Sequence, residues 1–294
     1  MSNYKLGIIG GSGLYSLENY KNNRWKEVIT PWGHPSDKVL TFFKNDKEVF
    51  FLPRHGKNHT ISPSKINYRA NIAALKQCGV TDIISFSAVG SLNKNISPGM
   101  FVVMQQYVDR TYKRENTFFD DDIVAYVPMS TPVSKSLSDT CENVLESLKI
   151  KHKKSAIYVG IEGPQFSTHA ESLYYKNNKI DVIGMTNLPE AKLAREAEIR
   201  YASIGMVTDY DCFKDEYMDV DITRMVAMLK SNVMTAKNVI KHLINSFEDN
   251  IDPNDQDVKC LDSSIITNLD NASKSTIKKL KHIIKRFKNK NYRD

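Results

Sequence analysis

Apolar residues along this chain gather in short blocks separated by polar stretches. The blocks lie at Lys5–Ile9, Val39–Phe43, Val49–Leu52, Ile83–Phe86, Phe101–Met104, Ile157–Ile161, Val182–Ile183 and Ala202–Val207. Short continuous apolar runs of this kind predict strands buried on both faces. Between several of them the spacing turns helical. Ser62-Pro63 reads as an N-cap followed by proline at the first helical position; Ile66, Ala70, Ala73 and Ala74 supply an apolar face, and Gly79 ends the helix. Thr168-His169-Ala170-Glu171 fits a capping box, Pro189-Glu190 opens a third helix through Ala191, Ala194 and Ala197, and a long fourth fills Ile222 to Phe247. Strands alternating with helices predict an α/β fold around a largely buried central sheet.

The pattern changes near the C-terminus. Asp249–Asp257 is polar and contains Pro253, so it reads as a linker or surface loop. Beyond it, Ile277, Leu280, Ile284 and Phe287 form a narrow apolar stripe in a lysine-rich segment. That stripe predicts a terminal helix docked on the body, in preference to a membrane-surface or polyanion-binding helix.

Charge sharpens the division. The net charge is +7, and residues 270–294 carry nine Lys/Arg against two Asp, so the rest of the chain is balanced. A neutral body with a basic tail argues against a dedicated nucleic-acid-binding domain. The 294 residues, 41% hydrophobic and 26% charged, are ordinary for a globular protein. No apolar window is long enough for a membrane span. Met1-Ser2-Asn3-Tyr4-Lys5 lacks the features of a signal peptide, and Cys78, Cys141, Cys212 and Cys260 are widely spaced. Free thiols in a reducing cytoplasm are expected.

Candidate chemistry sits at the ends of the predicted strands. Arg54-His55-Gly56-Lys57-Asn58-His59 follows the run Val49–Leu52, and a cationic fork beside imidazoles suits a small oxyanion such as phosphate. Gly10-Gly11-Ser12-Gly13 lets backbone N–H groups approach an anion, but Ser16 stands where a dinucleotide fingerprint needs its third glycine. No Gly-Lys-Ser/Thr follows, so a Walker loop is excluded as well. Ser85-Phe86-Ser87-Ala88-Val89-Gly90 ends another strand with hydroxyls and glycine. Phe166 offers a face for a planar ring, Met185 for a sugar, and Thr186 a hydroxyl for an anion. Asp209 and Asp211 leave the strand Ala202–Val207 two residues apart, so both point to one face and at least one pKa is raised. Taken singly, each segment also reads as a strand-end turn, a solvated loop or core.

Together the motifs resemble the 5′-methylthioadenosine phosphorylase branch of the trimeric purine nucleoside phosphorylase family. The resemblance runs from about Lys5 to Ile244 and rests on six ordered motifs. They are Gly-Ile-Ile-Gly-Gly-Ser-Gly-Leu (7–14), Arg-His-Gly-x-x-His-Thr-Ile-x-Pro-Ser-Lys-x-Asn-Tyr (54–68), Gly-Ser-Leu (90–92), Ile-Glu-Gly-Pro-x-Phe-Ser (161–167), Met-Thr-x-x-Pro-Glu (185–190) and Thr-Asp-Tyr-Asp-Cys (208–212). It implies a single phosphorylase domain over 1–250 with a central mixed sheet flanked by helices. A loosely matching linker would cover 251–270 and a basic amphipathic helix 271–294.

By the same resemblance, phosphate attacks the anomeric carbon of the ribose and adenine leaves, in methionine and purine salvage. Ser12, Arg54, His55, Ser87 and Thr186 would hold phosphate. Ala88, Phe166, Met185, Ile222, Met225 and Val226 would line the nucleoside site, the last group around the methylthio end. Asp209 would bond ring nitrogen seven and Asp211 the exocyclic amine. The family implies a homotrimer and needs neither metal nor organic cofactor, inorganic phosphate being the co-substrate. Tyr126 stands where animal relatives have a histidine contributed by a neighbouring subunit. Rival readings are a 6-oxopurine or methylthioinosine phosphorylase, a water-using nucleosidase, and a non-catalytic nucleotide-binding or basic-tail interaction protein.

Overall fold

In the computed structural model, which describes residues 4–17, 20, 22–45, 47–213, 221–247 and 255–287, the apolar blocks become the strands of one mixed sheet. The strands are β1 (Leu6–Gly10), β2 (Arg24–Lys26), β3 (Val39–Lys44), β4 (Lys47–Pro53), β5 (Asp82–Ser91), β6 (Phe101–Arg110), β7 (His152–Ile161), β8 (Val182–Gly184) and β9 (Arg200–Tyr210). Their order is β2-β3-β4-β1-β5-β8-β7-β6-β9, and β9 also pairs with β5. That last pairing closes β5, β8, β7, β6 and β9 into a ring. Val89, Val102, Met104, Ala156, Tyr158, Val182 and Val207 fill it as one buried cluster. The remaining strands extend outward from β5 as an open sheet.

Helices flank the sheet: α1 (Tyr68–Gln77), α2 (Lys135–Ser147), α3 (His169–Asn177), α4 (Asn187–Glu196) and α5 (Ile222–Ser246). Helices α1, α2, α4 and α5 form two layers, and α3 packs Tyr175 against Val159 and Ile183 of the ring. One layer packs α1 and α4 residues such as Ile72, Leu75, Leu193 and Ala194 under Ile9, Leu52 and Ile83. The other packs α2 and α5 residues such as Leu145, Ala236, Ile240 and Leu243 against Ile8, Phe51 and Ile84. Adjacent residues of β1 thus face opposite layers, as the period-2 pleat requires.

Local signals set the helix ends, with one shift from expectation. Ser62-Pro63 opens only a 3-10 turn, Pro63–Lys65, because Ile66 is extended; α1 starts after Asn67, whose side chain accepts from the Ala70 N–H. Thr168 and Glu171 form the predicted capping box of α3. In α4 Leu188 is non-helical, so the regular helix begins at Pro189. Asp221 caps α5 through the Arg224 N–H.

The expected continuous helix over 271–294 is interrupted within the described residues. Lys274–Lys279 forms α6, turns and a bend span 280–284, and helix resumes over 285–287. Leu280, Ile283 and Ile284 are all buried in the same layer as α1 and α4, with Ile277 and Phe287 packed alongside. Most of the Asp249–Asp257 linker and the last residues of the tail fall outside the described residues. Among the described residues no helix is long and apolar enough to cross a membrane.

Candidate active site

Five strand ends converge on one cavity of about 270 Å³, near the small end of ligand cavities, which run to about 1,000 Å³. Ser12 comes from the end of β1, Arg54 and His55 from β4, Ser87, Ala88 and Gly90 from β5, Met185 and Thr186 from β8, and Asp209 and Asp211 from β9. The parallel strands β1, β4, β5 and β9 deliver their loops to the same edge of the sheet, and β8, antiparallel to β5, brings Met185 and Thr186 back alongside the middle of β5.

At one end of the cavity hydroxyls and a guanidinium meet. Arg54 is fully buried and held bidentately by Glu190, Nε donating to Oε2 at 2.7 Å and Nη2 to Oε1 at 2.9 Å. Glu190 Oε1 also accepts from Ser85 Oγ at 2.7 Å and Tyr201 OH at 2.8 Å. Burial opposes the arginine charge, but the Glu190 carboxylate more than offsets this and holds the pKa above its ordinary value. Gly11 leaves room for this arrangement: a Cβ there would lie 2.5 Å from the Phe86 oxygen and 2.9 Å from Arg54 Nη1. Ser87 Oγ and Thr186 Oγ1 sit 3.4 Å apart, and the Tyr158 hydroxyl holds the Thr186 N–H at 3.1 Å.

His55 departs from the expected cationic cluster. Burial, with Arg54 beside it, pushes its pKa down to about 3, so the ring is neutral near pH 7.

At the other end lie the two carboxylates. Between Val89 and Gly90 the β5–β9 register shifts, setting Gly90 opposite Asp209. A Cβ on Gly90 would come within 3.2 Å of Asp209 Oδ2, so glycine makes space for the acid. The two carboxyls differ in their partners. Asp211 Oδ2 accepts from the buried Ser172 Oγ of α3 at 2.6 Å. Among the described residues, Asp209 Oδ1 accepts from its neighbour Thr208 Oγ1 at 2.5 Å. Burial, aided by the Asp211 charge, pushes Asp209 up to about 6. Asp211 is raised as well, by burial.

Phe166 and Met185 line the cavity between these ends, and Phe166 stays 45% exposed at its mouth, an aromatic face open to a ligand. Of the three α5 residues expected at the methylthio end, Met225 lines the cavity together with Leu229. Ile222 and Val226 are not among its lining residues and are exposed, 51% and 38%.

Sequence reasoning missed the residues that brace the site. The Arg114 side chain is 1% exposed. Its Nη1 donates to the carbonyls of Met185 and Leu188, both at 2.6 Å, and its Nη2 to Glu162 O at 2.7 Å. Its Nε donates to Glu162 Oε1 at 3.2 Å. The loop carrying Phe166 is thereby tied to the loop carrying Met185 and Thr186. Glu162 also accepts from the Tyr112 and Lys113 N–H groups; burial opposes its charge, yet Ser64 and those donors hold it down at about 2. Each of these partnerships spans tens of residues, and no local motif announces it.

The comparisons with known proteins agree with this geometry. A family model described as Phosphorylase superfamily matches residues 5–245. The S-methyl-5′-thioadenosine phosphorylase of Rhodospirillum rubrum is 46% identical over 276 residues, 94% of each chain. That of Bradyrhizobium diazoefficiens is 45% identical over 95% of this chain and 97% of its own. A methylthioadenosine phosphorylase from an antarctic soil metagenomic library superposes with a TM-score of 0.89 at 39% identity, covering 96% of this chain and 99% of that one. The Schistosoma mansoni methylthioadenosine phosphorylase in complex with adenine gives 0.79 at 35% identity, over 83% and 93%. The chain belongs to the phosphorylase superfamily of nucleoside phosphorylases.

Proposed function

We propose that the protein catalyses reversible phosphorolysis of 5′-methylthioadenosine to adenine and 5-methylthioribose 1-phosphate. The observation that carries this reading is a single cavity with an oxyanion end and a carboxylate end. Ser87 and Gly90, on the same strand, mark the two ends. Three residues of strand span roughly 10 Å at about 3.3 Å per residue, the width of a sugar between its phosphate and its base.

Phosphate rests on Ser12, Arg54, Ser87 and Thr186, with His55 against it, and approaches the anomeric carbon as the bond to adenine breaks. Its negative charge stabilises the positive charge developing on the sugar. Asp209, carrying a proton, supplies ring nitrogen seven so that adenine does not leave as a bare anion. Asp211, oriented by Ser172, accepts from the exocyclic amine and repels a 6-oxo group. Ala88 and Met185 border the ribose, Phe166 covers the purine, and Met225 and Leu229 border the methylthio group. Inorganic phosphate is the co-substrate, and no metal or organic cofactor takes part. The enzyme works in the cytoplasm, in methionine and purine salvage, as a homotrimer; the exposed Tyr126 is available to a neighbouring copy. No nucleic acid or membrane partner is part of this function.

The test is to incubate the protein with 5′-methylthioadenosine or 5′-methylthioinosine, each with and without phosphate, and follow the free base. Adenine release that requires phosphate is expected. Hypoxanthine release in preference to adenine, or base release without phosphate, contradicts the reading.

A further inference from the structure

His55 places a hydrogen-bond acceptor among donors. The imidazole is 4% exposed, and its Nδ1 lies 2.8 Å from the Ile61 carbonyl oxygen. A carbonyl only accepts, so Nδ1 carries the ring proton and Nε2 keeps a lone pair. The ring lines the cavity beside Ser12, Ser87 and Thr186. The charged and titratable groups facing it are Arg54, backed by Glu190, and His59. His59 stacks on it at 4.3 Å between ring centroids and is itself bonded to Tyr15 OH at 3.0 Å. Burial, Arg54 and His59 all disfavour a second proton, so the ring stays an acceptor near neutral pH.

The Ser12, Ser87 and Thr186 hydroxyls and the Arg54 guanidinium can donate to any tetrahedral oxyanion. An acceptor beside them suits only an anion that brings its own hydrogen; a fully deprotonated one sets lone pair against lone pair. We propose that His55 is a specificity-determining residue whose Nε2 accepts the O–H of the incoming oxyanion. The site thereby selects hydrogenphosphate, or hydrogenarsenate, over sulfate, which has the same shape and charge but no proton. With the O–H anchored on His55, the three unprotonated oxygens face the donors and the sugar. This selection rests on the phosphorylase reading of the cavity and adds to it the protonation state of the co-substrate.

The test is calorimetric titration of the whole protein at pH 8 with phosphate, arsenate, sulfate and selenate. Arsenate and selenate form a size-matched pair that differs in the proton, so the series needs no variant. Phosphate and arsenate are expected to bind roughly ten- to hundred-fold tighter than sulfate and selenate, the worth of one hydrogen bond to a charged partner. In His55→Gln, whose amide both donates and accepts, the gap is expected to shrink to within about threefold. Sulfate binding as tightly as phosphate to the wild type, or an unchanged gap in His55→Gln, overturns the proposal while leaving the phosphorylase reading standing. Failure of the wild type to bind any of the four anions overturns both.

Discussion

At the residue scale, the two carboxylates of the cavity are not equivalent, and their surroundings assign them different work. Asp209 is half-buried with a hydroxyl partner and has its pKa pushed up to about 6. A general acid typically contributes about 10²–10⁴ in rate. Asp209→Asn keeps the shape and loses the transferable proton, so kcat on 5′-methylthioadenosine should fall by roughly that factor; a rate near wild type would show that another group protonates the base. In the free enzyme the protonated form is lost as pH rises through about 6. Asp211→Asn removes a neighbouring negative charge, which lowers the Asp209 pKa. The descending limb of kcat/KM against pH should therefore move to lower pH, by only part of the total shift, since burial is the larger cause. The same variant should weaken the preference for adenine over hypoxanthine, and paired pH–rate and selectivity measurements read both effects.

The strand-end residues that line the cavity were legible in the sequence because each follows a short apolar block. Their braces were not. Glu190 is 136 residues from Arg54, and Ser172 is 39 from Asp211, so nothing local pairs them. The neutrality of His55 was hidden for the same reason: it comes from burial, which a string of basic residues does not reveal.

At the scale of elements, strand ends deliver the chemistry and Arg114 ties their loops together. Arg114→Lys keeps the charge but replaces a planar fork of five donors by three at one point. Carbonyls of Met185, Leu188 and Glu162 then lose partners in a buried place, at about 1–3 kcal/mol for each group left unsatisfied. Urea unfolding should show a lower midpoint. Steady-state kinetics should show a raised KM for nucleoside, because Phe166 and Met185 are no longer fixed relative to each other. An unchanged midpoint and KM would mean the loops hold their positions without it.

Element prediction succeeded where an apolar block is unbroken and failed where burial is partial. Arg24-Trp25-Lys26 forms β2 at the sheet edge with both charged residues exposed, so it carries no apolar run. In α2 the buried Leu137, Cys141, Val144 and Leu145 keep helical spacing, but the buried Ser138 and many polar neighbours obscure it. Closure of β5, β8, β7, β6 and β9 into a ring depends on strand pairing, to which hydrophobic periodicity is blind.

At the scale of the whole molecule, the basic C-terminal segment is part of the core. Leu280, Ile283 and Ile284 are essentially inaccessible. Arg286 pairs with Asp262 and Lys279 with Asp121 in positions open to solvent, and Arg286 also reaches the buried Glu198. Exposed pairs contribute about 0–1 kcal/mol, whereas a fully buried aliphatic side chain contributes about 1.5–3. Apolar burial therefore dominates the docking. Deleting residues 268–294 should lower stability by on the order of 5 kcal/mol, seen as a marked drop in the thermal midpoint, and 0.5 M salt should barely change the intact protein. A midpoint unaffected by the deletion, or one that collapses in salt, would refute a hydrophobic dock.

The measurement that tests the central claim most directly is the fate of phosphate itself. Phosphorus NMR of protein with 5′-methylthioadenosine and one equivalent of phosphate should show a sugar 1-phosphate resonance growing in step with free adenine. Adenine appearing while the phosphate signal stays unchanged would identify water as the nucleophile and contradict the account.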